Sequence, residues 1–329
     1  METVVTLVVA GFVGLAGIAL AVAIRRSRAF REAVRHTAAV FGLGFEPGGL
    51  LKSPRAKGAV DGLAVEVRHV RVKERRRGTD PDPVLYTRIR VSGGWGRDLS
   101  ARAREVRRQP RRRRGFLEAF NDALGGAEEL ATGDPSLDRA VALRTSRRFD
   151  ALSRLGADTR DGLRTIVGGG HGDVRDGAVT VNRRRLVTDP RTLEALTGAA
   201  VALGRDLSRD GRPAEPALVD IVAGDPLPAL RITALEQLIR ERTSHPETAR
   251  AVSAALAPGD PTLRVLAASV AGAAGFDAAR DVATEVAAPL AARRAALELL
   301  GSRYPERRTE AAAALDGVLP AAGDALLDA

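Results

Sequence analysis

The stretch DPLPALRITALEQL at residues 225–238 returns in shortened form as DPTLRVLAASVA at 260–271 and PLAARRAALELL at 289–300. In each copy a proline turn precedes an arginine and an Ala/Leu-rich helical face. The aligned arginines, Arg231, Arg264 and Arg293, stand 33 and 29 residues apart. Asp225 and Asp260 lead the first two turns, whereas the third begins Ala288-Pro289. Shorter amphipathic segments fall between the copies, at 217–222, 247–256, 277–286 and 306–319. Each unit is a helical pair of about 30 residues, a period that marks a stacked solenoid. The spacing predicts about three such pairs over residues 213–329, with a helix at 190–207 as their cap.

Upstream, residues 115–212 mix helices with a hairpin. Phe116–Leu124, Arg148–Leu155 and Thr159–Val167 read as helices, and Asp176-Gly177 between DVR and AVTVN reads as a two-residue turn. Asp189-Pro190 has the chemistry of a helix start, a side-chain acceptor followed by a residue that needs no donor. Gly168-Gly169-Gly170 follows a helix and opens a hairpin, the reverse of a phosphate-binding loop, and reads as a helix end. In TGDPSLD (132–138), Asp134 and Asp138 read as turn and cap residues, because two carboxylates without further ligands make a poor cation site.

Residues 29–114 form a basic, β-rich region. Residues 29–41 read as a short amphipathic helix, and Asp61-Gly62 as a hairpin turn. Val65, Val67, Val70 and Val72 alternate with a change of phase that suggests a bulge. From Val84 to Ser92, Leu85, Thr87, Ile89 and Val91 lie opposite Tyr86, Arg88 and Arg90. The stretch 97–114 ends in Arg111, Arg112, Arg113 and Arg114. These four read as a solvated run or as a surface for anionic lipid. Nucleic acid is disfavoured, because Trp95 is the only Trp in the chain and no aromatics interleave the charge.

At the N-terminus, residues 3–24 carry no charge, and twelve of the 22 are Val, Leu, Ile or Phe. A helix of that length spans about 33 Å, and those side chains contribute roughly −4 to −7 kcal/mol to insertion. The sequence predicts a membrane anchor over residues 1–28. Arg25, Arg26, Arg28 and Arg31 follow it and nothing basic precedes it, so the positive-inside rule predicts N-out, C-in, with the later domains in the cytoplasm.

The chain of 329 residues carries a formal charge of +10 and no cysteine, which excludes disulfides and thiolate chemistry. The charge is uneven. Residues 25–114 hold 25 Lys/Arg against 9 Asp/Glu, a net of +16. Residues 1–24 carry only Glu2, so residues 115–329 net −5.

On the Asp-Pro turn, the following Leu-Arg and the Ala-Leu pair, the C-terminal copies resemble HEAT-like repeats, particularly the short bacterial type also found in phycobilisome lyases. That resemblance implies a partner-binding solenoid and no lyase activity. The order LGF…GAVDGLAVEV…YTRIRV, TGDPSLD and VRDGAVTV is similar to a front module of uncharacterised bacterial proteins, with Leu137 where that pattern has Phe. It implies architecture and no chemistry.

The four histidines, His36, His69, His171 and His245, form no metal or catalytic spacing, and no G-x-S-x-G or Walker loop is present. The expected fold is α+β: a transmembrane helix, an α+β front module with antiparallel hairpins, and the helical repeats. The expected role is a membrane-tethered adaptor with an unknown protein partner, no cofactor and no catalysis. The alternative is a ligand sensor or enzyme with its pocket in residues 42–210.

Overall fold

The computed structural model describes residues 2–49, 52–73, 83–95, 98–104, 128–208, 213–242 and 244–316. The chain divides into two compact units. One holds residues 1–124, 140–144 and 158–209, and the other holds 125–139, 145–157 and 210–329.

The first unit opens with α1 (Glu2–Val40), a single uninterrupted helix. No Gly or Pro lies between Ile18 and Phe41, so nothing ends the helix where the apolar run does. It stops at Gly42, whose φ of +65° a side chain would resist. The apolar run is thus the first half of a longer helix that continues through Arg25, Arg26, Arg28 and Arg31. Its second half buries Phe30, Ala33, Val34, Thr37 and Ala38. Among the described residues, no helix is long and apolar enough to cross a membrane. This overturns the expected transmembrane anchor and, with it, the single-pass inner-membrane placement. The separate helix expected at 29–41 is part of α1.

The strands are β1 (Gly44–Glu46), β2 (Arg55–Val60), β3 (Leu63–Lys73), β4 (Pro83–Ser92), β5 (Ser100–Ala103), β6 (Glu128–Glu129), β7 (Val141–Thr145), β8 (Gly172–Arg175) and β9 (Ala178–Arg184). Within the first unit they form an antiparallel sheet in the order β1-β2-β3-β4-β9-β8-β5-β7. Asp61-Gly62 and Asp176-Gly177 make the β2–β3 and β8–β9 turns, with φ positive at all four residues as that turn demands. The register of β3 on β4 runs unbroken from Ala64↔Ser92 to Lys73↔Pro83, so the expected bulge is absent. The phase change arises because His69, not an apolar residue, takes the inward position after Val67.

One face of the sheet is apolar. Val65, Val67, Ile89, Val91, Val174, Val179 and Val181 are at most 1% exposed. Helix α5 (Pro190–Ser208) covers it with Leu193, Ala200, Val201, Leu203 and Leu207. The approach is close: a Cβ on Gly204 would lie 2.9 Å from Val91 Cγ1 and 3.3 Å from the Trp95 ring. Helix α1 docks against α5, where His36 Nε2 and Glu194 Oε2 stand 3.0 Å apart.

The second unit contains α2 (Pro135–Ala140) and α3 (Arg148–Ser153). Six helices follow: α6 (Ala214–Gly224), α7 (Pro228–Arg242), α8 (Pro246–Leu256), α9 (Pro261–Ala268), α10 (Ala273–Thr284) and α11 (Leu290–Arg303). Helix α12 (Arg308–Asp316) ends the described chain. After α3 the chain returns to the first unit with α4 (Ala157–Leu163), extended by a π-helical turn at Arg164–Gly168. Successive helices of the second unit pack pairwise on Ala- and Leu-rich faces such as Leu230, Ala234, Leu235 and Leu238 of α7. Tyr304 locks the last pairs: its hydroxyl lies 3.0 Å from Ala268 O and 2.8 Å from Gly272 O, and its ring meets Phe276 edge-on.

Candidate functional site

The polar face of the sheet concentrates charge. Alternation puts Glu66 and Arg68 of β3, Arg88 and Arg90 of β4, Thr180 and Asn182 of β9, Asp173 and Arg175 of β8, and Arg102 of β5 on the side away from the valines. The register arranges them in two rows across the strands. One row is Arg68↔Arg88↔Asn182, and the other is Glu66↔Arg90↔Thr180↔Asp173. Residues two apart on a strand are about 6.6 Å apart, so the rows are separate but within reach of one another.

In the first row, two arginines sit directly opposite each other, an arrangement that opposed like charges make unfavourable. Arg88 Nε donates to Asn182 Oδ1 at 2.9 Å. Among the described residues, no carboxylate lies within 4.0 Å of the Arg88 guanidinium, although the side chain is only partly exposed. Burial, and then the Arg68 charge, lower the Arg88 pKa. Arg68 Nε stands 3.5 Å from Glu66 Oε1, yet it is buried and makes no hydrogen bond there. Among the described residues, both guanidiniums therefore keep donors without a protein acceptor. A guanidinium fork matches the tetrahedral or planar oxygens of phosphate, sulfate and carboxylate.

The second row carries its own anions. Burial raises the Asp173 pKa, and Arg102, Arg175, Arg88 and Arg90 oppose the rise without cancelling it.

Besides His36, two histidines belong to the same unit. Ser53 Oγ and His69 Nε2 are hydrogen-bonded at 2.7 Å, and burial followed by the Arg71 charge lowers the His69 pKa. Its Nδ1 is buried without a hydrogen-bond partner. Among the described residues no third group therefore orients the ring as an acid would in a nucleophilic triad. Arg183 Nη1 donates to His171 Nε2 at 2.9 Å; burial and that charge lower the His171 pKa.

The repeat residues singled out from sequence are structural. Arg231 Nε donates to Val222 O at 2.7 Å and Arg293 Nε to Ala283 O at 3.3 Å, each satisfying a carbonyl near the end of an earlier helix. Arg264 instead faces Glu285 at 3.3 Å and Asp281 at 3.8 Å. Asp260 accepts from Leu263 N at 2.9 Å as an N-cap, and Asp225 accepts from Leu227 N at 3.0 Å.

Asp134 and Asp138 are also spent internally. Asp138 accepts from Thr132 N, Thr132 Oγ1 and Gly133 N, while Asp134 Oδ1 accepts from Ser136 N, Ser136 Oγ and Leu137 N. Arg25, Arg26 and Arg28 are exposed on α1, and Arg31 is partly buried. Arg111–Arg114 and the expected helix Phe116–Leu124 lie outside the described residues. No group of three or more His, Asp or Glu able to hold a metal occurs among the described residues.

Sequence reasoning placed Arg88 and Arg90 on one face but did not single them out. The signal was the i, i+2 pairing opposite Ile89 and Val91; the missing part was the register that sets Arg68 against Arg88.

No protein-family model matches the chain, and no curated protein and no solved structure matches it either. The expected HEAT-repeat assignment thus has no family support and is withdrawn; the helices are a paired stack, with α9 only 8 residues long against 15 in α7.

Proposed function

We propose that the sheet unit is a binding module for a compact dianion of the phosphate or sulfate type, held between Arg68 and Arg88. The observation that carries this reading is the partly buried Arg88 guanidinium with no carboxylate beside it and a second arginine across from it. A charge removed from water and left unpaired costs several kcal/mol, and a bound anion relieves both that cost and the repulsion. Asn182 supports the role by fixing the Arg88 head through Nε, a contact that engages neither terminal nitrogen.

Two charge-assisted contacts at about 1.5–3 kcal/mol each give a Kd between about 6 mM and about 40 μM, with about 1 mM inside that range. Calorimetric titration with inorganic phosphate in 150 mM chloride tests this. The wild type binds with a stoichiometry of one, and Arg88→Gln binds about 10- to 150-fold more weakly. Equal affinity in the two proteins refutes the reading.

A second reading attaches to the helical unit, as a protein-interaction surface. Val286, Leu290 and Leu297 are 61%, 79% and 41% exposed there, and Leu290 and Leu297 lie two turns apart on one face of α11. Replacing both leucines by Glu removes partner capture if that surface is used, and leaves capture intact if it is not.

A further inference from the structure

We infer that the ligand of the proposed anion site is a phosphate monoester of an aromatic group, with its ring packed on Tyr86 and Val70. This rests on the reading of Arg68 and Arg88 as the contacts to the phosphoryl oxygens. The pleat and the unbroken β3–β4 register set four side chains in a square on the polar face. Arg68↔Arg88 is one side of the square and Val70↔Tyr86 is the other. Tyr86 precedes Arg88 by two residues on β4, and Val70 follows Arg68 by two on β3, so the pairs stand about 6.6 Å apart. All four residues are partly exposed.

The surroundings of the arginine pair decide where the rest of a ligand goes. Across the strands the row continues into Arg55 on one side and Asn182 on the other. Glu46 already takes the Arg55 fork, at 2.7 and 2.9 Å, and Asn182 is engaged by Arg88. Along the strands in one direction stands Lys57↔Glu66↔Arg90, charged at all three positions. An organic group gains no apolar contact there. In the other direction stand Val70 and Tyr86, which carry no charge. Because β2 begins at Arg55 and β9 ends at Arg184, that pair lies near the end of the sheet, where Tyr86 is bridged to Arg185.

The helices of this unit lie on the opposite, valine face. The Phe30 ring of α1 meets His69 edge-on at 5.8 Å, and α5 closes on Val91. A Cβ on Gly172, which shares its face with Val174, would lie 2.8 Å from Ile166 Cγ2 of the π-helical turn. Among the described residues of the unit, no helix therefore packs over the square. A tyrosine offers a ligand ring an offset or edge-on partner, and Val70 extends the apolar contact. A cross-strand aromatic–valine pair also stabilises the sheet by itself, but that role sets no preference among ligands.

The experiment reads that preference. Calorimetric titration of the full chain at pH 8 in 150 mM chloride compares phenyl phosphate with methyl phosphate, both dianions there. Expected is a wild type that binds phenyl phosphate at least about fivefold tighter, a preference kept by Tyr86→Phe. Tyr86→Thr, which suits a strand, should bind the two within about twofold and keep its affinity for inorganic phosphate. The ratio of affinities comes from binding-competent protein alone, so partial unfolding does not mimic the loss. A wild type without the preference overturns the inference, as does a Tyr86→Thr protein that keeps it or a Tyr86→Phe protein that loses it. Equal binding of inorganic phosphate by wild type and Arg88→Gln sinks the site and this inference together. An Arg88-dependent phosphate site indifferent to Tyr86 sinks only this inference.

Discussion

Replacing Arg88 by Met should reverse the stability order of the two proteins when the anion is changed. In chloride the substitution removes repulsion from Arg68. At a separation of about 6 Å that repulsion is about 2.8 kcal/mol at an effective dielectric of 20 and about 0.7 kcal/mol in water, so partial exposure puts it near 1–2 kcal/mol. Loss of the hydrogen bond to Asn182 costs about 1 kcal/mol. Met keeps the apolar stem, so the variant should equal the wild type or exceed it by up to about 1 kcal/mol. In 100 mM sulfate a Kd of about 1 mM stabilises the wild type by about 2.7 kcal/mol, and a tenfold weaker variant by about 1.4 kcal/mol. The wild type should then lead. Trp95, the only Trp, is 2% exposed and packed within the sheet unit, so urea unfolding followed by its emission reports on the relevant unit. Chloride at matched ionic strength controls for screening, and the variant controls for the general stabilising action of sulfate. Equal sulfate stabilisation of both proteins refutes the reasoning, and so does a variant more than about 2 kcal/mol less stable in chloride.

Asp173 binds its proton more tightly folded than unfolded, so the folded state holds more protons between the ordinary carboxylate value of 3.8 and the raised one. Stability of the sheet unit should fall as pH rises through that window, and the difference between wild type and Asp173→Asn, measured by urea unfolding from pH 4 to 7, should carry that slope. In the helical unit, Tyr304→Phe leaves Ala268 O and Gly272 O without their shared donor and should lower stability by about 1–3 kcal/mol in a thermal melt. Asp134→Ala strands the donors of Ser136 and Leu137 at a site 2% exposed and should cost about 2 kcal/mol by the same measure.

What was legible in the sequence was local. Period-two alternation marked Val84–Ser92, the two Asp-Gly pairs marked turns, and the Asp-Pro and Pro positions marked helix starts in the C-terminal stack. What was not legible depended on neighbours. Asn182 reaches Arg88 across 94 residues of sequence, and no local pattern says that β9 lies beside β4. The arginine pair exists only once β3 and β4 are in register, so its unmatched charge is invisible in a count of basic residues. The membrane expectation failed for a different reason. It weighed the apolar length of residues 3–24 and gave no weight to the absence of any Gly or Pro from Ile18 to Phe41, which carries the helix on to Phe30, Val34 and Ala38 in the core of the sheet unit.

The most direct test of the central claim is a phosphate titration read on the arginine Nε–H signals of the protein by nuclear magnetic resonance. The account predicts that the Arg88 and Arg68 signals move together and saturate with one Kd, while the exposed Arg250 and Arg294 signals stay put. Arg88 and Arg68 signals that do not move, or that drift linearly alongside those of Arg250 and Arg294, would contradict it.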